Sequence, residues 1–196
     1  MHTDEIWSHI DAERADLADF LATLNDRQWA TPSACAGWTV RDVAAHLTQS
    51  TTHWARLSLE LMRSGFRFNA MVARTATEDR RGPDELVAAL RAMAGVRRRP
   101  PGTTVADPLT DVLVHGQDIA IPLGVDRPMP VAAAVVAAHR LWTMGFPYHA
   151  RRRFAGVALQ ATDADFAVGD GRLVTAPIRD IVLALSGRNS AVLPRV

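Results

Sequence analysis

The sequence predicts a mainly α protein with a small α/β appendage at its C-terminal end. Three observations carry that expectation. Apolar residues recur at helical spacing through most of residues 3–144. Helix start and stop signals bracket those segments. After about residue 150 the pattern changes to short strand-like runs, two of them separated by Gly169-Asp170-Gly171.

The segment from Thr3 or Asp4 to Leu24 places Ile6, Ile10, Leu17, Phe20, Leu21 and Leu24 on one face, as in an amphipathic helix. Residues 29–38, WATPSACAGW, read as a loop. Thr39 is an expected N-cap with Asp42 as its capping-box partner, and Trp38 is positioned to staple onto Val43. This second helix is expected to run to about Arg63, with Val43, Leu47, Trp54, Leu57 and Leu61 on its core stripe. Residues 65–82 are arginine-rich and read as a loop or short helical turns. A third helix is expected from Pro83 to about Val96.

The stretch 106–124, ADPLTDVLVHGQDIAIPLG, reads as the helix around which the chain is organised. Asp107 is its expected N-cap, Pro108 its first helical residue, and it ends near Pro122. Pro130 to Met144 makes a further helix. Phe154–Ala161, Phe166–Val168 and Leu173–Thr175 read as strands, with Gly169-Asp170-Gly171 as a hairpin turn. Pro177 opens a last helix, Ile178 to Leu185, stopped by Gly187.

Composition narrows the function classes. A formal net charge of +1 offers no basic footprint for nucleic acid or a membrane surface. All basic residues other than histidine are arginines, which reads as compositional bias rather than a physical adaptation. A single cysteine, Cys35, excludes an internal disulfide and fits a reducing compartment. The first residues are acidic and amphipathic, unlike a signal peptide, and no apolar run approaches a membrane span. A cytoplasmic protein, monomeric or homodimeric, is expected.

Candidate chemistry is sparse. There is no nucleophile-elbow sequence, no cysteine pair for structural zinc and no phosphate loop. Asp111 and His115 lie four apart on one helix face, and Asp118 extends that face. A carboxylate and an imidazole so placed can share a divalent metal, or form an ordinary polar face. His46 lies at the margin of its helix's core stripe, with His53 two turns further on. His46, Asp111 and His115 complete a three-ligand site if their helices face each other, which leaves the open position of a catalytic metal. Cys35 reads as a small buried residue, His149 as a surface or junction residue, and Arg97–Arg99 as a solvated helix end.

The stretches AGWTVRDVAAHL (36–47) and DVLVHGQDIAIPLG (111–124) resemble the mycothiol-dependent maleylpyruvate isomerase family, part of the DinB/YfiT-like metalloenzyme superfamily. The tail, PYHARRRFAGVALQATDADFAVGDG through ALSGR (147–188), resembles that family's C-terminal domain. The resemblance implies a DinB-like up-down four-helix bundle at 1–148 and a small α/β domain at 149–196, an abbreviated form of the family's version. It implies His46, Asp111 and His115 as ligands of a divalent metal, usually zinc, with Asp111 standing where the characterised isomerase has a glutamate. Mycothiol is the implied thiol cofactor or co-substrate. Its metal-held thiolate would add to a small electrophile or dicarboxylate, in isomerisation or S-transfer. Arg188, in the motif SGR, matches a functionally implicated arginine. The competing reading is a non-enzymatic binding or scaffold module with a vestigial site. A hydrolase using metal-bound water is a third.

Overall fold

The computed structural model describes residues 1–49, 60, 62–64, 67–99 and 102–188. Among them, α1 (Thr3–Ala22), α2 (Asp26–Trp29), α3 (Val40–Gln49), α4 (Phe68–Thr77), α5 (Pro83–Arg91), α6 (Ala106–Ala120) and α7 (Val131–Thr143) build a helical body. A single turn α8 (Ala150–Arg153), strands β1 (Val157–Ala161), β2 (Ala167–Gly169) and β3 (Arg172–Ala176), and helix α9 (Ile178–Leu185) follow. The expected extension of α3 with Trp54, Leu57 and Leu61, and the position of His53, lie outside the described residues. No described helix is long and apolar enough to cross a membrane.

Helix α6 is central. It packs against α1, α3 and α7, and every residue from Pro108 to Ala120 except Asp111 is buried. Its opposite faces serve two apolar clusters. Val112 and Ile119 join the C-terminal half of α1 with α3 and α5. Leu109, Leu113 and Val114 join Ile6 and Ile10 with α7, the sheet and α9. This second cluster runs through Ala150, Phe154 and Leu159 without a break, so the C-terminal elements share the core of the helices before them. Ala133, Ala134, Ala137 and Ala138 of α7 are all fully buried. Their small side chains let α6 and α9 approach α7 closely. A polar tie crosses the α1–α6 interface, where Arg127 Nη2 donates to Glu13 Oε2 at 2.9 Å and Gln117 Nε2 to the Arg127 carbonyl at 2.9 Å.

Several elements depart from expectation. Residues 68–77 form a ten-residue helix where a loop or short turns were expected. Met71 and Ala76 bury against the body and Gln49 Nε2 donates to the Thr75 carbonyl at 2.9 Å, contacts that a local arginine count does not reveal. Helix α5 stops at Arg91, because Asp11 and Arg14 of α1 capture the Gly95 amide (3.0 Å) and the Met93 carbonyl (3.2 Å) of the following turn. Asp107 lies inside the first turn of α6 rather than at its N-cap. Its Oδ2 accepts from the amide and hydroxyl of Thr104, the reciprocal half of a capping box one turn earlier.

Gly169-Asp170-Gly171 is not a hairpin turn. The sheet order is β2-β1-β3, with β1 antiparallel to β2 and parallel to β3. The tripeptide carries the chain past the start of β1, close over its backbone. A Cβ on Gly169 would collide with the Val157 carbonyl oxygen, and one on Gly171 with that of Gly156. Both glycines have positive φ, 80° and 104°. Strand β1 begins at Val157, since residues 150–153 form a helical turn first. Helix α9 runs as expected, its first amide capped by Asp163 Oδ1 at 2.7 Å.

Candidate metal centre

Two local structures deliver the site. The loop before α3 is closed by a bridge between Pro32 and Thr39, and by Ser33, whose amide donates to the Trp38 carbonyl at 2.8 Å. Thr39 and Asp42 then form the expected cap: the Thr39 amide donates to Asp42 Oδ2 at 2.9 Å, and the Asp42 amide to Thr39 Oγ1 at 3.3 Å. From that start, α3 carries His46 toward α6, which presents Asp111 and His115 one turn apart.

The three side chains converge. His46 Nε2 lies 3.4 Å and His115 Nε2 3.5 Å from the same atom, Asp111 Oδ1. One donor atom from each of the three residues lies within 4.8 Å of the others. These separations exceed the usual ~2.9 Å of an N–H···O bond. The two Nε2–Oδ1 separations are close to the edges of about 3.3–3.4 Å in a tetrahedron whose metal–ligand arms are about 2.0–2.1 Å. Two imidazoles and one carboxylate form a donor set suited to zinc or a related divalent ion. The residues therefore fit the metal that the family resemblance implies.

Behind His115 the ring is held by a further carboxylate. Nδ1 of His115 lies 2.9 Å from Asp118 Oδ2, and an ionised carboxylate only accepts, so Nδ1 donates and Nε2 keeps its lone pair toward Asp111. A carboxylate on the far nitrogen of a ligating histidine sets its tautomer and orientation. Asp118 also receives Arg188 Nη2 at 2.6 Å and the Cys35 thiol at 3.0 Å. The Asp118 carbonyl accepts the Ala34 amide at 2.9 Å, which docks the Cys35 loop onto α6.

The electrostatics follow from these contacts. Burial raises the Asp111 carboxyl, but His46, His115 and the buried Arg14 outweigh it and hold it at about 2. Burial likewise opposes ionisation of Asp118, and its hydrogen bonds to His115 and Arg188 overcome that, holding the carboxyl below its ordinary range. Burial and then the Asp118 charge push the Cys35 thiol up to about 12 against the pull of Arg188. Tyr148 is raised chiefly by burial and stays protonated.

Trp38 walls the site, lying edge-on to His46 at 5.3 Å and near-parallel to His115 at 6.4 Å between centroids. A cleft of about 1370 Å³ opens beside it, lined at this end by His46, Asp111, His115, Tyr148 and Arg188. All the expected site residues, His46, Asp111, His115 and Arg188, thus come together. His149 does not join them; it is exposed, beside Phe146. Arg97 pairs with Asp11 at 2.8 Å and lies over the Trp7 ring, and Arg153 caps α9 through the Ala184 and Leu185 carbonyls. Asp118 was legible as the i+7 member of the face begun by Asp111. The contributions of Cys35, Tyr148 and Arg14 had no local signal.

Comparison with known proteins bears on the domain and the fold. Residues 10–101 match the family model described as the mycothiol maleylpyruvate isomerase N-terminal domain. The fold resembles the crystal structure of a mycothiol-dependent maleylpyruvate isomerase at 15% identity and TM-score 0.67, covering 100% of this chain and 96% of that one. It resembles that of a histidine-to-alanine mutant of such an isomerase at 14% identity and TM-score 0.66, with the same coverage. At these identities the likeness establishes the fold. Among proteins of curated function, none matches the chain by sequence. Over residues 10–101, then, the chain is similar to the N-terminal domain of the mycothiol maleylpyruvate isomerase family, and its whole length shares the fold of such isomerases.

Proposed function

We propose that the chain is a zinc-dependent enzyme that holds mycothiol as a thiolate and uses it on a small electrophilic substrate, by isomerisation of the maleylpyruvate kind or by S-transfer. In this reading residues 1–148 form a DinB-like four-helix bundle that binds the metal, and 149–196 form a small α/β C-terminal domain. The protein would act in the cytoplasm on small molecules.

The observation that carries the reading is the meeting of His46 Nε2 and His115 Nε2 at Asp111 Oδ1, 3.4 and 3.5 Å away. A divalent ion bound there would keep a coordinated thiol deprotonated at neutral pH. The chain's own residues prepare that step. Asp118 holds the His115 proton on Nδ1, away from the ligand position. Asp111 stays ionised and balances part of the ion's charge. The Cys35 thiol donates to Asp118 and lies on the Nδ1 side of His115, away from the position that His115 Nε2 faces. Three protein ligands leave a fourth position for the incoming sulfur, and the cleft gives access to it.

Cobalt substitution tests the reading. Mycothiol added to the cobalt-loaded protein is expected to produce a thiolate-to-cobalt charge-transfer band. An unchanged spectrum would remove the thiol from the reaction and favour a hydrolase that uses bound water.

A further inference from the structure

Arg188 is held by the protein through all three of its nitrogens. Its Nε donates to Asp118 Oδ1 at 3.1 Å, and its Nη2 to Asp118 Oδ2 at 2.6 Å and to Cys35 Sγ at 3.4 Å. Its Nη1 donates to the Ser186 carbonyl at 2.9 Å. Four protein acceptors thus meet its N–H groups, on all three nitrogens. The Asp118 side chain is only 1% exposed. A substrate carboxylate that took Arg188 would strip the buried Asp118 of its guanidinium partner and leave it only His115 and the Cys35 thiol, which is costly.

We infer that Arg188 is a positioning residue and not a clamp for the substrate. Its two-pronged bond fixes the plane of Asp118, Asp118 fixes the His115 ring, and His115 Nε2 is thereby presented to the metal. This rests on the proposed metal reading. The arginine itself is delivered by the end of α9. Gly187, with φ 83°, turns the chain so that the Gly187 amide bonds the Ala184 carbonyl at 3.0 Å and the Arg188 amide the Leu183 carbonyl at 2.8 Å. This is a Schellman closure, and it sends the Arg188 side chain back toward α6. Lysine, a point charge, cannot reproduce the bidentate contact. Any acidic group on the substrate must then be recognised elsewhere in the cleft.

The test compares wild type with Arg188→Met and Arg188→Lys, the latter retaining the buried positive charge should the former fail to fold. Zinc affinity is measured against a chromophoric chelator, and the His115 tautomer in the metal-free protein by ¹⁵N NMR. Both variants are expected to bind zinc about tenfold to a hundredfold more weakly and to lose the preference for Nδ1–H. Wild-type zinc affinity in a folded variant overturns the inference, whatever the tautomer. If wild type takes up no zinc, the metal reading falls. The positioning role then stands if the tautomer depends on Arg188 and falls if it does not.

Discussion

The backbone N–H of Arg188 donates to the carbonyl of Leu183 at 2.8 Å, across the left-handed turn at Gly187. One glycine at the end of α9 therefore controls whether Arg188 reaches Asp118. A Cβ at Gly187 meets nothing closer than Arg153 Nη1 at 3.7 Å, so Gly187→Ala imposes backbone strain without a clash. The expected cost is about 1–2 kcal/mol, read by urea denaturation of the metal-free protein. Zinc affinity should weaken with it, as Arg188 loses its aim.

The glycines at the sheet crossover behave differently. Gly169→Ala adds a collision with the Val157 carbonyl oxygen to the strain of its positive φ. It should destabilise more than Gly187→Ala, by about 3 kcal/mol or more, since backbone must move. Equal melting temperatures for the two variants would contradict this account of the crossover.

Cys35 should be inert in the folded protein. With its thiol pushed up to about 12 by burial and by Asp118, almost none is thiolate at pH 8. Iodoacetamide is expected to alkylate it at a free-thiol rate only after denaturation. Rapid alkylation of the native protein at pH 8 would show that the Asp118–Cys35 contact does not hold.

Much of this architecture was legible in the sequence, and the rest was not for identifiable reasons. The Thr39–Asp42 cap, the 111/115/118 face and the stop at Gly187 are local, and helical periodicity exposes them. That α3 faces α6, so that His46 meets Asp111, depends on packing of Val43 and Leu47 with Val112 and Ile119 across 65 residues of chain. Cys35 reaches Asp118 only because a loop docks through the Ala34 amide. The parallel pairing of β1 with β3 is non-local, and Gly-Asp-Gly has the composition of a hairpin turn while serving as a crossover.

The loop after α4 supplies a pH dependence. Arg81 donates through Nη2 to Asp79 Oδ2 at 2.6 Å and through Nε to Oδ1 at 3.0 Å, and these bonds hold the Asp79 carboxyl at about 2. An unfolded aspartate titrates near ~3.9. The folded-state value is the lower, so the contribution is complete above about pH 4 and is lost as pH falls toward 2. Asp79→Asn should lower stability at pH 7 and make little difference at pH 2. Arg81 Nη2 also donates to Thr48 Oγ1 at 2.7 Å, so loosening should be seen first at the end of α3 by hydrogen exchange.

If His46, Asp111 and His115 hold a metal, elemental analysis of protein purified without a histidine tag, beside His46→Ala and His115→Ala, will find it. Near-stoichiometric zinc is expected in the wild type and is lost in both variants, with helical content unchanged. A wild-type protein that remains metal-free after zinc is supplied would overturn the metal centre.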